Sequence, residues 1–274
     1  MIAAFVEGIG VLGPGLADWP GAREVLLGRI SYRSAPTELL APPALPPAER
    51  RRVGKGVKLA LAVGFEALVH SGRDGTTLAS VFASSSGDGD NCDAICTALA
   101  GDRLISPTRF HNSVHNAPSG YWGIAAHAMA RSTSLCGFDA SFAVGLVDAM
   151  TQVAVDGEAV LLVAYDAPYP EPLLATRPVA ESFGIALVLA PEATPHALAR
   201  IVIGTRARRI DHAAQRPLAD AELEQWRATI PAARGLTLLE AVARIEMAQR
   251  SEEESVWLED VNGASLHVRV DQCN

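Results

Sequence analysis

The sequence predicts an α/β fold, and three observations carry that prediction. Residues 160–164, 183–189 and 199–203 are short, nearly unbroken apolar runs, the pattern of strands buried on both faces of a sheet. Residues 57–69 and 91–99 instead repeat their apolar side chains at helical spacing. Between these helical segments, residues 77–83 alternate and branch like a central strand. They run into Ser84-Ser85-Ser86-Gly87-Asp88-Gly89, a loop of the kind that open α/β sheets place at their sites.

Taken in order, residues 2–6 read as a short buried strand, and Gly8, Gly10, Gly13, Pro14 and Gly15 read as a tight turn after it. Gly8 to Gly13 matches the letter of the dinucleotide fingerprint GxGxxG, but Pro14-Gly15 breaks the helix that such a site requires, so a plain strand-turn reading is preferred. Residues 34–47 carry five prolines and form a surface connection. Glu49-Arg50-Arg51-Arg52 starts a solvated helix. Residues 57–69 form a helix apolar on most faces, hence largely buried. On residues 91–99, Cys92, Ile95, Cys96 and Leu99 share one face at i, i+3, i+4 and i+7.

Residues 106–125 interleave polar groups with aromatic and small residues, which suits a helix crossing a tight interface. A strand over residues 133–138 leads into a helix of small and apolar residues that begins at Asp139-Ala140-Ser141. Beyond residue 204, Arg206, Arg208 and Arg209 open a polar segment. Helices follow over residues 220–228 and 237–250. A hairpin closes the pattern, with strands 255–260 and 265–270 about Asn262-Gly263, the strongest short hairpin signal.

Composition narrows the function. The chain has 274 residues, 49% of them hydrophobic and 20% charged, enough for a substantial core and unlike a disordered segment. Its 23 basic and 31 acidic side chains leave a net charge of −8, without the basic footprint of a nucleic-acid binder. The N-terminus has no basic n-region, and no apolar stretch approaches a membrane span, so a soluble, cytoplasmic chain is expected. The four cysteines are too few and scattered for a disulfide framework, and neither Cys92–Cys96 nor His111–His115 has the further ligands that a zinc site needs. No metal is expected.

Chemistry centres on the junction near residue 139, where a helix N-terminus would stabilise an anion. The turn offers Asp139, Ala140 and Ser141 but no cysteine; Cys136 lies earlier, inside the expected strand, where a thiol is packed rather than reactive. Ser84, Ser85, Ser86, Ser113 and Ser119 lie near His111 and His115 in sequence. No GxSxG elbow accompanies them, and turn or packing roles are preferred.

These residues together resemble a known family. Leu45-Pro46-Pro47-Ala48-Glu49-Arg50-Arg51-Arg52, Val81 to Gly87, Ile105-Ser106-Pro107 through Ile124, and Asp156 to Val163 are similar to the N-terminal half of β-ketoacyl synthases, the thiolase-type condensing enzymes. The match is closest to truncated, chain-length-factor-like partners of aryl polyene ketosynthases and covers about residues 1–204. The resemblance implies a thiolase-like half with a mixed five-stranded sheet, helices on both faces and an extra C-terminal hairpin. Residues 1–204 would be the synthase-like domain, and residues 205–274 a short remnant packed on it.

The departures from the family pattern bear most on function. Counting from Asn116 puts the family's catalytic cysteine on Asp139, and counting back from Gly157 puts it on Ala140; neither is a thiol. No histidine is followed by Gly-Thr. The resemblance therefore implies a subunit inactive alone, needing no cofactor, that pairs with a full-length ketosynthase and meets an acyl carrier protein through that complex. It implies Cys92, Ile95, Cys96 and Leu99 as tunnel-lining residues. It also implies a dimer interface at the 133–138 strand and its surroundings, with Asn116, Tyr121, Trp122, Ser134, Cys136 and Phe138. Two alternatives remain open: residual thioester decarboxylation or hydrolysis by Asp139 or Ser141, and a structural homodimeric scaffold.

Overall fold

The computed structural model describes residues 1–204, 216–248, 253–261 and 264–273. The arginine cluster after residue 204, the Asn262-Gly263 turn and the expected helix end at Arg250 lie outside the described residues. The architecture is α/β: one mixed sheet in the order β3-β2-β4-β5-β1-β6-β8-β7. The strands are β1 (Ile2–Leu12), β2 (Ala79–Ala83), β3 (Ser132–Leu135), β4 (Val160–Asp166), β5 (Phe183–Ala190), β6 (Ala199–Ile203), β7 (Glu253–Glu259) and β8 (Ser265–Asp271). Eight strands replace the expected five. The hairpin β7–β8 is no appendage, because β8 pairs antiparallel with β6 (Ile201 opposite Val270) and extends the sheet.

Ten α-helices are described: α1 (Trp19–Leu26), α2 (Pro47–Arg50), α3 (Lys55–Ser71), α4 (Gly89–Ala100), α5 (Pro107–His111), α6 (Ala117–Ala125), α7 (Ser141–Asp156), α8 (Leu173–Thr176), α9 (Ala221–Thr229) and α10 (Leu236–Met247). They cover both faces of the sheet, which explains the unbroken apolar runs. In β4, Val160, Leu162 and Ala164 face a core shared with α1, α7 and α10, while Leu161, Val163 and Tyr165 face one shared with α3 and α6. With both faces dry, alternation vanishes from the sequence.

The N-terminal glycines do not make the expected turn. β1 continues through Gly8 and Gly10, pairing Gly10 with Ala186 of β5. A Cβ on Gly8 would lie 2.1 Å from the Ala67 carbonyl oxygen, and one on Gly10 would lie 2.0 Å from that of Val63. These glycines let α3 press its backbone onto the strand. The turn comes later, at Gly15, where φ is +67°.

The span from Phe138 to Asp156 is apolar and long enough to cross a membrane by composition. Here Phe142, Leu146, Ala149, Met150 and Val153 of α7 are buried in the core beside the sheet.

Candidate functional site

Strands β2, β3 and β4 run parallel, so their C-terminal ends open on the same side. The loop after β2 (Ser84 onward), the turn after β3 (Cys136–Ala140) and Asp166 at the end of β4 meet there. This is the crevice position at which α/β sheets hold ligands.

The turn after β3 is a strained elbow. Phe138 has φ +54°, in the left-handed region that a bulky residue rarely adopts. A 3-10 turn over Phe138–Ala140 then feeds α7. The Ser141 hydroxyl closes this elbow, accepting from the Gly137 N–H (3.0 Å) and donating to the Phe138 carbonyl (2.7 Å). Ser141 is buried, its hydroxyl committed to the backbone. Of the two positions that sequence counting left open, Ala140 is buried and Asp139 keeps 38% of its side chain exposed.

Asp139 is ion-paired on both oxygens. Its Oδ1 lies 2.6 Å from Arg177, just past α8, and its Oδ2 lies 3.6 Å from Arg234, in the 3-10 segment before α10. The Arg177 guanidinium lies 3.6 Å over the Phe138 ring, a cation–π contact, and its Nε donates to the Tyr169 hydroxyl (3.3 Å). Arg234 also pairs with Glu259 of β7.

Behind the elbow lies a buried carboxylate. Asp166 Oδ1 accepts from the Ser85 N–H (2.9 Å), the Ser85 hydroxyl (2.6 Å) and, at 3.4 Å, the Ser84 hydroxyl. Its Oδ2 accepts from the Ala232 N–H at 2.8 Å. Because Ser85 donates to Asp166, the Tyr169 hydroxyl, 3.0 Å away, donates to Ser85. An ordered chain thus runs from Arg177 through Tyr169 and Ser85 to Asp166. Burial pushes the Asp166 carboxyl above its ordinary value, against the downward pull of those donors. Burial also pushes the neighbouring Tyr165 phenol up. Ser84 and Ser85 are therefore buried members of a structural network, not free nucleophiles.

The other expected site residues fall into two groups. On α4, Cys92, Cys96 and Leu99 are exposed and Ile95 is half-buried, so this face does not pack into the chain's own core. Asn116, Cys136 and Phe138 are exposed, and Ser134 is half-buried on β3. Cys136 sits just past β3 rather than inside it, and its thiol donates to the Ser85 carbonyl (3.1 Å). Tyr121 and Trp122 depart from expectation. Trp122 is 1% exposed, with its ring 4.9 Å from that of Phe65 and 6.3 Å from that of Phe82. The Tyr121 hydroxyl donates to the buried Asn112 (3.0 Å). Both aromatics face inward because α6 packs on α3, and helical spacing on so short an element did not reveal which side that is.

Sequence reading missed Arg177, Arg234, Tyr169 and Asp166. Only Asp166 left a signal, as a lone acid ending an otherwise apolar strand. The arginines reach the elbow by tertiary folding alone. Among the described residues, no histidine is hydrogen-bonded to Asp139 or Ser141. His115 contacts the Ser84 carbonyl at 3.4 Å, and His111 is exposed.

Comparison with known proteins agrees with this fold. The chain resembles the ketosynthase–chain length factor complex ApeO–ApeC of Xenorhabdus doucetiae at 22% identity, over 98% of this chain and 99% of that one, with a TM-score of 0.71. It resembles the ishigamide ketosynthase/chain length factor at 12% identity, over 100% and 99%, with a TM-score of 0.74. A β-ketoacyl synthase from Burkholderia phymatum STM815 matches at 14% identity over the whole of both chains, with a TM-score of 0.68. At these identities the likeness is one of fold. A search of curated proteins returns no significant match. The model of the β-ketoacyl synthase N-terminal domain matches residues 29–257, most of the chain. Matched over most of its length, this chain belongs to the β-ketoacyl synthase N-terminal domain family.

Proposed function

We propose that this chain is a non-catalytic, chain-length-factor-like subunit of a cytoplasmic ketosynthase complex making an aryl polyene or related polyketide. It pairs with an active synthase and forms one wall of the cavity holding the growing acyl chain. The observation that carries this reading is the elbow. At the two positions where sequence counting puts the condensing enzymes' thiolate stand a buried Ala140 and Asp139, a carboxylate neutralised by two arginines. The exposed Cys136 thiol lies three residues before Asp139 and donates to the Ser85 carbonyl. An ion-paired carboxylate is a poor nucleophile, and Ser141 is committed to backbone contacts, so the geometry counts against residual thioester chemistry at either residue.

The surface supports the pairing. Among the described residues β3 is an edge strand, bonded on one side only, by β2. Exposed apolar side chains lie beside it: Ile124 on α6, which packs on β3, Met129 just ahead of β3, and Phe138 of the elbow. An edge strand with exposed apolar neighbours is the kind of surface a partner chain covers. The exposed face of α4 would then join the tunnel. A cleft of about 440 Å³ is lined by five cations (Arg51, Arg52, Lys55, Lys58 and Arg109) against two acids, Asp88 and Asp90, the latter paired with Lys55. The basic excess suits the acidic surface of an acyl carrier protein meeting the complex. The β6–β8 pairing and the Asp166–Ala232 bond support reading residues 205–274 as a remnant packed on the 1–204 domain.

The test is co-expression with a candidate full-length synthase, followed by mass measurement of the complex and incubation of each species with labelled malonyl and acyl carrier protein. The reading expects a 1:1 heterodimer that elongates, and an isolated chain that neither acylates nor decarboxylates. A persistent homodimer beside the synthase would instead indicate the scaffold, and label fixed to the isolated chain would defeat the proposal.

A further inference from the structure

We propose that Arg177 and Arg234 form a carboxylate-binding site that the chain keeps filled with its own Asp139, so the elbow admits no carboxylated acyl group while that contact holds. The inference goes beyond the pairing role and stands on this chain's geometry alone.

Two guanidinium groups from distant segments converge on one carboxylate, at 2.6 Å from Oδ1 and 3.6 Å from Oδ2. Both cations are preset by contacts other than Asp139. Arg177 is held by the Phe138 ring and the Tyr169 hydroxyl, and Arg234 by Glu259. They retain 16% and 14% of their side-chain exposure, whereas Asp139 retains 38% on a one-turn 3-10 segment. The cations are thus the enclosed, positioned half of the site, and the carboxylate is its accessible half.

Guanidinium groups fixed in place recognise carboxylates well, because the planar donor fork is already oriented and little freedom is lost on binding. With Asp139 removed, Arg177 would keep the Phe138 ring, the Tyr169 phenol and the more distant charge of buried Asp166, a partly dehydrated cation without its nearest counter-ion. The ligand class that restores the charge is a small carboxylate, including the free carboxylate of a malonyl-type thioester.

The test removes the internal carboxylate and offers an external one. Wild type, Asp139→Ala and Asp139→Ala with Arg177→Met are titrated with sodium malonate and sodium acetate, against sodium chloride at equal ionic strength, and Tm is recorded. Wild type should show no shift beyond the chloride control. Asp139→Ala should melt lower and recover in a saturable manner with malonate or acetate, and the double variant should not recover. Asp139→Ser, which keeps a small polar group on the exposed turn, provides the same readout should the alanine variant fail to fold. Wild type responding like the variant would overturn the proposal, as would the absence of a saturable response in both single variants. Pairing with a synthase is not measured here, so this result and that of the co-expression experiment separate cleanly.

Discussion

Substitution of Asp166 probes how the C-terminal segment is tied to the end of the sheet that carries the elbow. The carboxylate accepts two buried backbone N–H groups, one from Ser85 beside β2 and one from Ala232 after α9, together with the Ser85 hydroxyl. Asp166→Ala orphans both N–H groups. Each buried donor left unsatisfied costs about 1–3 kcal/mol, so the loss is about 2–6 kcal/mol before the relief of no longer burying a charge. Asp166→Asn keeps an acceptor toward Ser85 but turns its amide toward one donor, costing about 1–3 kcal/mol.

The pH dependence has a definite sign. The folded-state value of Asp166 is raised, chiefly by burial, so its contribution to stability is fully present below its ordinary value of 3.8 and is lost as pH rises through the folded value. Asparagine does not titrate. The stability gap between wild type and Asp166→Asn should therefore narrow as pH rises from about 4 toward neutrality. Urea denaturation at a series of pH values measures the gap, and hydrogen exchange at Ala232 reports the local tie. A gap that widens with pH, or an asparagine variant as stable as wild type throughout, would refute the reasoning.

Three further outcomes are expected. Gly10→Ala places a Cβ 2.0 Å from the Val63 carbonyl, a helix backbone that cannot swing away, so its cost in Tm measurements should reach or exceed the roughly 1–3 kcal/mol typical of overpacking; a neutral result would contradict the close approach of α3 to β1. Trp122→Ala empties the contact with Phe65 and Phe82 and should cost about 3–5 kcal/mol with loss of near-ultraviolet circular dichroism, whereas an effect confined to partner binding would restore Trp122 to the interface. Cys96→Trp or Ile95→Trp should shorten the products of the complex; unchanged length with an intact complex would remove α4 from the tunnel.

The sequence by itself determined the α/β class, because strands buried on both faces leave apolar runs and helices leave a 3.6-residue period. It also determined the family and the absence of a thiol at the two counted nucleophile positions, Asp139 and Ala140, since these rest on local order along the chain. Tertiary structure decided the rest. The glycines of β1 look alike whether they make a turn or admit a helix, and only the packing of α3 tells which. The membership of the hairpin in the main sheet is a pairing between β6 and β8, which no local pattern encodes. Asp139 was visible as a residue, but its meeting with Arg177 and Arg234 was not, since charges far apart in sequence gain a relation only when folding sets them a few ångströms apart in a site that excludes much of the water.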